Sequence, residues 1–179
     1  MGIRELEGGD SYGLPVDEFK SLLKNNNLKM ISVSADFGQL AKNPQASVDL
    51  AKTYGAKYVV VFWIPHTNVF TIDDAKNAVT VFNTAGKLLK ENGISLCYHA
   101  HGYEFGSYGE GTLFDYLAEN FNPQYANFEM DVFWVKHPGQ DQQRKKSDRY
   151  ACHQKHRPRS SVACFLQSEA RDDGVGYGR

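Results

Sequence analysis

The sequence predicts an α/β protein built on a parallel sheet. Strand-like and helix-like segments alternate as far as residue 135, with four helices set between five strands. The segment 57–64, KYVVVFWI, is almost wholly apolar, as expected of a strand covered on both faces. This pattern does not separate a barrel from an open doubly wound sheet. No glycine-rich phosphate loop follows any strand, however, which disfavours a nucleotide-binding form.

Each predicted strand is an apolar or alternating run that ends at turn-forming residues. The five strands span residues 2–7, 28–35, 57–64, 94–100 and 126–135. The helices between them carry apolar side chains at i, i+3 and i+4 spacing. They begin at Pro15, at Asn43-Pro44, at the capping pair Thr71 and Asp74, and at Thr112.

Length and composition fit one domain in a reducing compartment. Hydrophobic residues make up 41% of the 179 residues, enough to bury a core. The formal charge of −1 gives no global reason to expect a nucleic acid or a membrane surface as partner. The N-terminus lacks the basic and apolar regions of a signal peptide, and the three cysteines are irregularly spaced, so a cytoplasmic location is expected.

Charge and periodicity both change after residue 141. Residues 142–179 hold nine Lys/Arg and four Asp/Glu and carry +5, whereas the rest of the chain carries −6. We therefore predict a partial domain over 1–141 and a separate irregular tail over 142–179. The tail is interpreted as a disordered basic extension or as the product of a frameshift. A nucleic-acid arm is a third interpretation, and the cysteines and histidines of the tail match no standard zinc-finger spacing.

Two histidines and a glutamate lie where the fourth predicted strand ends, in the string CYHAHGYEF. His99 and His101 point to the same face because side chains alternate along a strand. Glu104 falls in the following loop, where parallel α/β enzymes place their sites. Two imidazoles and a carboxylate can bind a divalent metal, or can bind the hydroxyls of a sugar and move its protons. We predict a catalytic site here, with a structural role for the histidines as the alternative.

Two further acids, Glu129 and Asp131, are predicted to share one face of the fifth strand. Buried carboxylates are costly unless they are paired or bind a metal, so a metal would explain both. A structural ion-paired role is the alternative. Glu7 on the first strand, His66 after the third and Trp134 near the fifth are weaker candidates for lining a substrate site.

Taken together, the strings YHAHGYEF and FEMDVFWVKHPGQD resemble the xylose isomerase-like superfamily. Within it they are most similar to the bacterial sugar-phosphate isomerases/epimerases, whose typical strings are YHNH-x-x-EF and MDxxW-x-x-x-G-D. The resemblance covers residues 2–141, with Ala100 in place of the usual Asn. It implies a partial (β/α)8 TIM barrel of about five parallel strands with flanking helices. It also implies a divalent metal, often manganese, at the C-terminal mouth of the barrel.

The resemblance also implies an activity and a ligand set. By position in the two strings, Glu104 and Asp131 would be metal ligands, with His99 and His101 lining the site. The activity would be isomerisation or epimerisation of a small sugar or sugar derivative, with carboxylates moving a proton through an enediolate-like species.

The resemblance leaves the site and the barrel incomplete. In the family, a further strand ordinarily precedes the matching segment and two later ligand strands follow it, so we expect half of the metal site. An inactive truncated enzyme is one alternative, and lyase or glycoside-cleaving activity on 3-keto sugars is another. An incomplete barrel also has open edges, which favour association of chains.

Overall fold

The computed structural model describes residues 2–137 and 139, and the predicted tail 142–179 lies outside them. Strands and helices alternate along the described part of the chain. The elements are β1 Glu5–Gly8, α1 Val16–Asn25, β2 Lys29–Ser34, α2 Phe37–Lys42, α3 Pro44–Tyr54, β3 Tyr58–Val61, α4 Ile72–Glu91, β4 Ser95–His99, β5 Ser107–Tyr108, β6 Gly111–Thr112, α5 Leu113–Asn120, β7 Ala126–Glu129 and α6 Val132–Lys136. A 3₁₀ turn, Tyr103–Phe105, follows β4.

Five of the strands form one parallel sheet in the order β1-β2-β3-β4-β7, which confirms the predicted α/β class. Every connection between neighbouring strands of this sheet contains at least one helix, as a parallel sheet requires. The short antiparallel hairpin of β5 and β6 follows β4 and was not predicted. Because all five strands run the same way, their C-terminal ends lie together at one end of the sheet, where the predicted site residues lie.

The core lies between the sheet and the helices that cover it. Strand β3 is buried along Val59, Val60 and Val61, in keeping with its apolar sequence. The helices contribute mainly alanine, leucine and phenylalanine side chains to the core: Leu40, Ala51, Ala75, Ala78, Phe82, Leu89, Phe114 and Leu117. Among the described residues, no helix is both long and apolar enough to cross a membrane.

Local capping residues start the helices that cover the sheet. At Thr71 and Asp74, and again at Thr112 and Asp115, each side chain bonds the backbone N–H of the other, which completes a capping box. The predicted capping box at the start of α4 is therefore confirmed. Asn43 occupies the N-cap position of α3 but makes no side-chain cap hydrogen bond, so Pro44 is the stronger start signal there.

The fifth strand is shorter than predicted. Strand β7 ends at Glu129, and Asp131 is the N-cap of α6 because its Oδ1 accepts a hydrogen bond from Phe133 N at 2.8 Å. The prediction of a strand through residue 135 was therefore wrong beyond Glu129, and Trp134 lies on a helix. Glu129 and Asp131 consequently do not project from one strand face, although both lie at the same end of the sheet.

Helix α4 holds the connection that leads into β7. Asn83 Nδ2 donates to Asn120 O at 3.1 Å, and Asn83 Oδ1 accepts from Asn122 N at 2.7 Å. One turn further along α4, Gly86 lies against the backbone of Tyr125, where a Cβ atom would be 2.3 Å from the carbonyl oxygen. The close approach of α4 to this connection therefore fixes where β7 begins.

The sheet is strongly curled. Strands β1 and β7 are its two edges, and in a flat sheet with strands about 4.8 Å apart they would be roughly 19 Å from one another. The carboxyl groups of Glu7 on β1 and Glu129 on β7 nevertheless lie close enough for each to influence the pKa of the other. This proximity across the sheet requires the curvature of a barrel wall.

Candidate active site

The imidazole of His99 lies between two carboxylates at the C-terminal end of the sheet. His99 is the last residue of β4 and is paired in register with Glu129, the last residue of β7. His99 Nδ1 is 3.8 Å from Glu129 Oε1, and His99 Nε2 is 3.5 Å from Asp131 Oδ2. All three side chains are mostly buried, with 13%, 12% and 21% of their surface exposed for His99, Glu129 and Asp131. We call these three residues the carboxylate–imidazole cluster.

The ring nitrogens of His99 are buried without a hydrogen-bond partner among the described residues. Burial lowers the pKa of His99, the neighbouring His101 lowers it further, and Asp131 acts in the opposite direction. The lowered pKa favours the neutral ring, which is the form that binds metals and accepts protons. His99 therefore presents free acceptor capacity beside two acids.

Glu129 has a raised pKa. Burial raises its pKa to about 7, and the nearby charges of Glu7 and Asp131 add to the effect. The pKa of Glu7 is also raised, mainly by partial burial, although Glu7 remains exposed at the open edge of the sheet. The thiol of Cys97, buried beneath these acids, has its pKa raised to about 12 by burial and by Glu129 and Glu7. A carboxyl with a pKa near 7 can both give and take a proton at neutral pH.

His101 lies beside the cluster and between two tryptophans. Its ring stacks on His99 with centroids 4.8 Å apart and planes 14° apart, as expected for side chains on one face. The ring centroids of Trp134 and Trp63 are 5.4 and 6.4 Å from that of His101. Phe62 packs against both imidazoles, at 5.1 Å from His99 and 6.5 Å from His101. Aromatic side chains thus surround the imidazoles at the mouth of the sheet.

The predicted residue His66 belongs to a second group of rings that adjoins the first. His66 stacks on Trp63 at 4.6 Å and contacts Tyr103 at 4.4 Å and Phe70 at 5.5 Å. Its Nδ1 lies 2.8 Å from Ile64 O, which favours a proton on that nitrogen. We call Trp63, His66, Phe70 and Tyr103 the aromatic cluster. Trp63 is 51% exposed although it packs on the rings of His66 and Tyr103, so its indole is held in place while open to solvent.

Glu104 faces away from this arrangement and into the protein. It is fully buried, and its carboxylate accepts hydrogen bonds from the hydroxyl of Tyr98 and from the backbone N–H groups of His101, at 3.0 Å, and Gly102, at 2.7 Å. Gly102 has φ 98°, a conformation that favours glycine, and this turn directs both N–H groups at the carboxylate. The predicted role of Glu104 as a metal ligand stays a prediction.

The structure brings most of the predicted residues to one end of the sheet, but in two groups. The carboxylate–imidazole cluster contains the predicted residues His99 and Asp131 and is adjoined by three more, Glu7, His101 and Trp134. His66 belongs to the aromatic cluster. Sequence reasoning missed the tyrosines around Glu104 and the rings of Phe62 and Trp63. The string VFWIPH at the end of β3 was the available signal for those two rings, since parallel strands end where sites lie.

A divalent metal fits one part of this site. His99 Nε2 and Asp131 Oδ2 are ligand types that such ions accept, and the nitrogen has no competing hydrogen bond among the described residues. In residues 2–137, no group of three or more His, Cys, Asp or Glu side chains is arranged to hold a metal ion. The described residues therefore offer a pair of ligands and not a full coordination shell.

Solved structures with this architecture identify the fold. A sugar phosphate isomerase/epimerase from Parabacteroides distasonis ATCC 8503 superposes with a TM-score of 0.69 and 22% sequence identity over 81% of this chain. A xylose isomerase-like TIM barrel protein from Mycobacterium smegmatis, in complex with magnesium, superposes with a TM-score of 0.58 and 14% identity over 75% of this chain. The fold is a partial TIM barrel.

The partial TIM barrel matches 64% of the length of the Parabacteroides protein and 53% of the Mycobacterium protein. An AP endonuclease, family 2, from Brucella melitensis also superposes, with a TM-score of 0.61 and 14% identity over 80% of this chain and 63% of its own. No family model matches the chain, and no curated protein matches it in sequence. At these identities the likeness establishes the fold and not the activity.

Proposed function

We propose that this chain takes part in metal-dependent isomerisation or epimerisation of a small sugar or sugar derivative. The observation that carries the proposal is the buried imidazole of His99, which lies between Glu129 and Asp131 with no hydrogen bond to either nitrogen among the described residues. Such a buried group is costly unless a ligand completes it. Its place at the C-terminal ends of barrel strands is where TIM-barrel enzymes carry their sites. The sugar phosphate isomerase/epimerase of the same fold supports the choice of substrate class.

His99 and Asp131 would hold the metal, in accord with the magnesium complex of the Mycobacterium protein. Polarisation of the sugar carbonyl is the chemistry that a bound divalent ion supplies. Glu129, with a pKa near 7, is suited to take a proton from the carbon beside that carbonyl and to return it. His101 and Trp134 would line the sugar, and the surrounding rings would exclude water from the reacting carbon.

Calorimetric titration of the metal-stripped chain with Mn²⁺, repeated with Mg²⁺, tests the metal site. We expect binding by the parent protein and a loss of about tenfold or more in affinity for Asp131→Asn and His99→Gln. Asp17→Asn, at an exposed acid in the first turn of α1, is the matched control and should bind as the parent does. Equal binding by all four proteins would mean that the ions bind elsewhere, and no binding by the parent would overturn the metal site.

Deuterium exchange tests the proton transfer. Ketoses with and without a phosphate group are incubated in D₂O with the protein and Mn²⁺, and loss of the proton beside the carbonyl is followed by NMR. We expect exchange with the parent and little with Glu129→Gln, while Glu129→Gln retains the metal. Exchange that continues unchanged in Glu129→Gln would exclude Glu129 as the base.

A further inference from the structure

The buried carboxylate of Glu104 is the end point of a hydrogen-bond chain that crosses between two loops. Tyr98 Oη, within β4, donates to Glu104, and Tyr98 Oη and Tyr103 Oη lie 2.9 Å apart. Tyr103 Oη in turn accepts from Ile64 N, in the loop after β3, at 2.9 Å. The chain therefore runs from the loop of residues 62–66 to the loop of residues 100–105, each of which follows a neighbouring strand.

The direction of the chain follows from the charges. A carboxylate only accepts hydrogen bonds, so the single proton of Tyr98 goes to Glu104, and Tyr103 then donates to Tyr98. Burial raises the pKa of Tyr98 well above its ordinary value, and the charge of Glu104 raises it further, which keeps the hydroxyl protonated. The pKa of Tyr103 is raised by burial as well. Both tyrosine hydroxyls thus remain protonated and able to donate, as their places in the hydrogen-bond chain require.

Glu104 already has partners for both carboxylate oxygens. Oε1 accepts from Tyr98 Oη and His101 N, and Oε2 accepts from Gly102 N. A fully buried carboxylate is stable only when such donors offset its loss of hydration, and charged hydrogen bonds are the strong ones. Binding a metal would require Glu104 to turn outward and leave those donors unsatisfied, at a cost for each buried group.

We propose that Glu104 is a positioning residue, which through Tyr98 and Tyr103 fixes the loop that carries His101 against the loop that carries Trp63. Glu104 binds the two amides on which the turn at His101 depends, and the far end of the chain contacts the aromatic cluster, where Tyr103 lies 4.8 Å from Trp63. The functional value of this arrangement rests on the proposed function, since His101 and Trp63 face the proposed sugar site. The arrangement itself is testable without any turnover.

Near-ultraviolet circular dichroism of the apoprotein tests the positioning role. The stacked and edge-to-face contacts of Trp63 give it an asymmetric environment, and the difference between the parent and Trp63→Phe defines its band. We expect Glu104→Gln and Tyr98→Phe to lose most of that band while far-ultraviolet spectra show that the barrel is retained. Asp131→Asn is the matched control, because it changes an acid that takes no part in the hydrogen-bond chain. It should keep the Trp63 band. A full Trp63 band in both Glu104→Gln and Tyr98→Phe would overturn the proposal.

Mn²⁺ affinity separates the positioning role from the ligand role. If Glu104 positions the loop, Glu104→Gln should bind Mn²⁺ within about threefold of the parent, whereas Asp131→Asn should lose about tenfold or more. If Glu104→Gln loses as much affinity as Asp131→Asn, Glu104 is a ligand and the proposal is wrong. If the parent binds no Mn²⁺, the proposed function fails by itself, and the Trp63 band alone decides the role of Glu104.

A variant that keeps the buried acid guards against misfolding. Tyr103→Phe removes only the outer hydroxyl of the chain and leaves the ring contacts and all donors to Glu104 in place. Should Glu104→Gln fail to fold, Tyr103→Phe should still reduce the Trp63 band, because Ile64 loses its link to β4. An unchanged band in Tyr103→Phe would then overturn the proposal.

Discussion

Gly86 in the middle of α4 allows two opposite expectations for the substitution Gly86→Ala. Helix propensity alone predicts that alanine is better than glycine by about 1 kcal/mol at an interior helical position. In this structure, however, the new Cβ would lie 2.3 Å from Tyr125 O, 2.8 Å from Tyr125 C and 3.1 Å from Tyr125 Cβ. These atoms are mostly backbone, so the contact is relieved only by moving α4 away from the connection to β7.

The magnitude follows from setting the two effects against each other. Overpacking a tight site costs about 1–3 kcal/mol, and a contact with backbone belongs at the upper end of that range. After the gain in helix propensity is subtracted, Gly86→Ala should lower the free energy of unfolding by roughly 2 kcal/mol. The displacement would also strain the hydrogen bonds of Asn83 to Asn120 and Asn122, which bracket the same connection.

Urea unfolding followed by far-ultraviolet circular dichroism measures this difference, provided that the slope with urea is unchanged. Asn77→Ala is the matched control, because Asn77 is exposed on the same helix. Its free energy of unfolding should rise by about 0.5 kcal/mol from helix propensity alone. If Gly86→Ala were as stable as the parent or more so, the packing of α4 against Tyr125 would be wrong. Because β7 leads into Asp131, a proposed metal ligand, Gly86→Ala should also weaken Mn²⁺ binding.

Two further predictions concern the titrating groups beneath the site. The carboxyl of Glu129 keeps its proton up to about pH 7 when folded but loses it from its ordinary pKa of 4.5 when unfolded, so the free energy of unfolding should fall as pH rises from 4.5 to 7. We expect a fall on the order of 1–2 kcal/mol in urea titrations with a chelator present, and a flatter profile for Glu129→Gln; an equally steep profile in that variant would refute the assignment. Cys97, with a pKa of about 12, should be alkylated by iodoacetamide about 1,000-fold more slowly at pH 8 than in the unfolded chain, as read from its peptide by mass spectrometry. Labelling of Cys97 at the unfolded rate would show that it is not buried beneath the acids.

Much of the fold could be predicted because its signals are local. The apolar run around Val59–Val61 and the capping box at Thr71 and Asp74 each involve residues close together in the chain. Helix α2 also had a local signal that was overlooked, since Asp36 caps it by accepting from Gln39 N. The same kind of signal would have predicted the end of the fifth strand before residue 135, because Asp131 is the N-cap of α6.

The site was harder to predict because its decisive contacts are not local. Glu129 and Asp131 are two residues apart, which is the spacing of side chains on one strand face. That spacing is the same whether the strand continues to Asp131 or ends at Glu129, so it cannot locate the end of the strand. Glu104 is directed into the protein by its hydrogen bonds to Tyr98 and to the turn at Gly102. Neither contact follows from a periodic pattern in the sequence. The position of His99 between two carboxylates depends on the register of β4 and β7, which are linked through the whole of α5.

The proximity of Glu7 and Glu129 has a consequence for folding order. These residues are 122 positions apart in the chain and lie on the first and last strands of the sheet, so they meet only when every strand between them has paired. Bringing such distant segments together is entropically costly and is therefore a late event in folding. The part of the raised Glu129 pKa that the charge of Glu7 causes should accordingly be absent from any intermediate that lacks β1, while the larger part, which burial causes, depends on the packing around Glu129 itself. The titration of Glu129 thus reports whether the first strand has closed on the last.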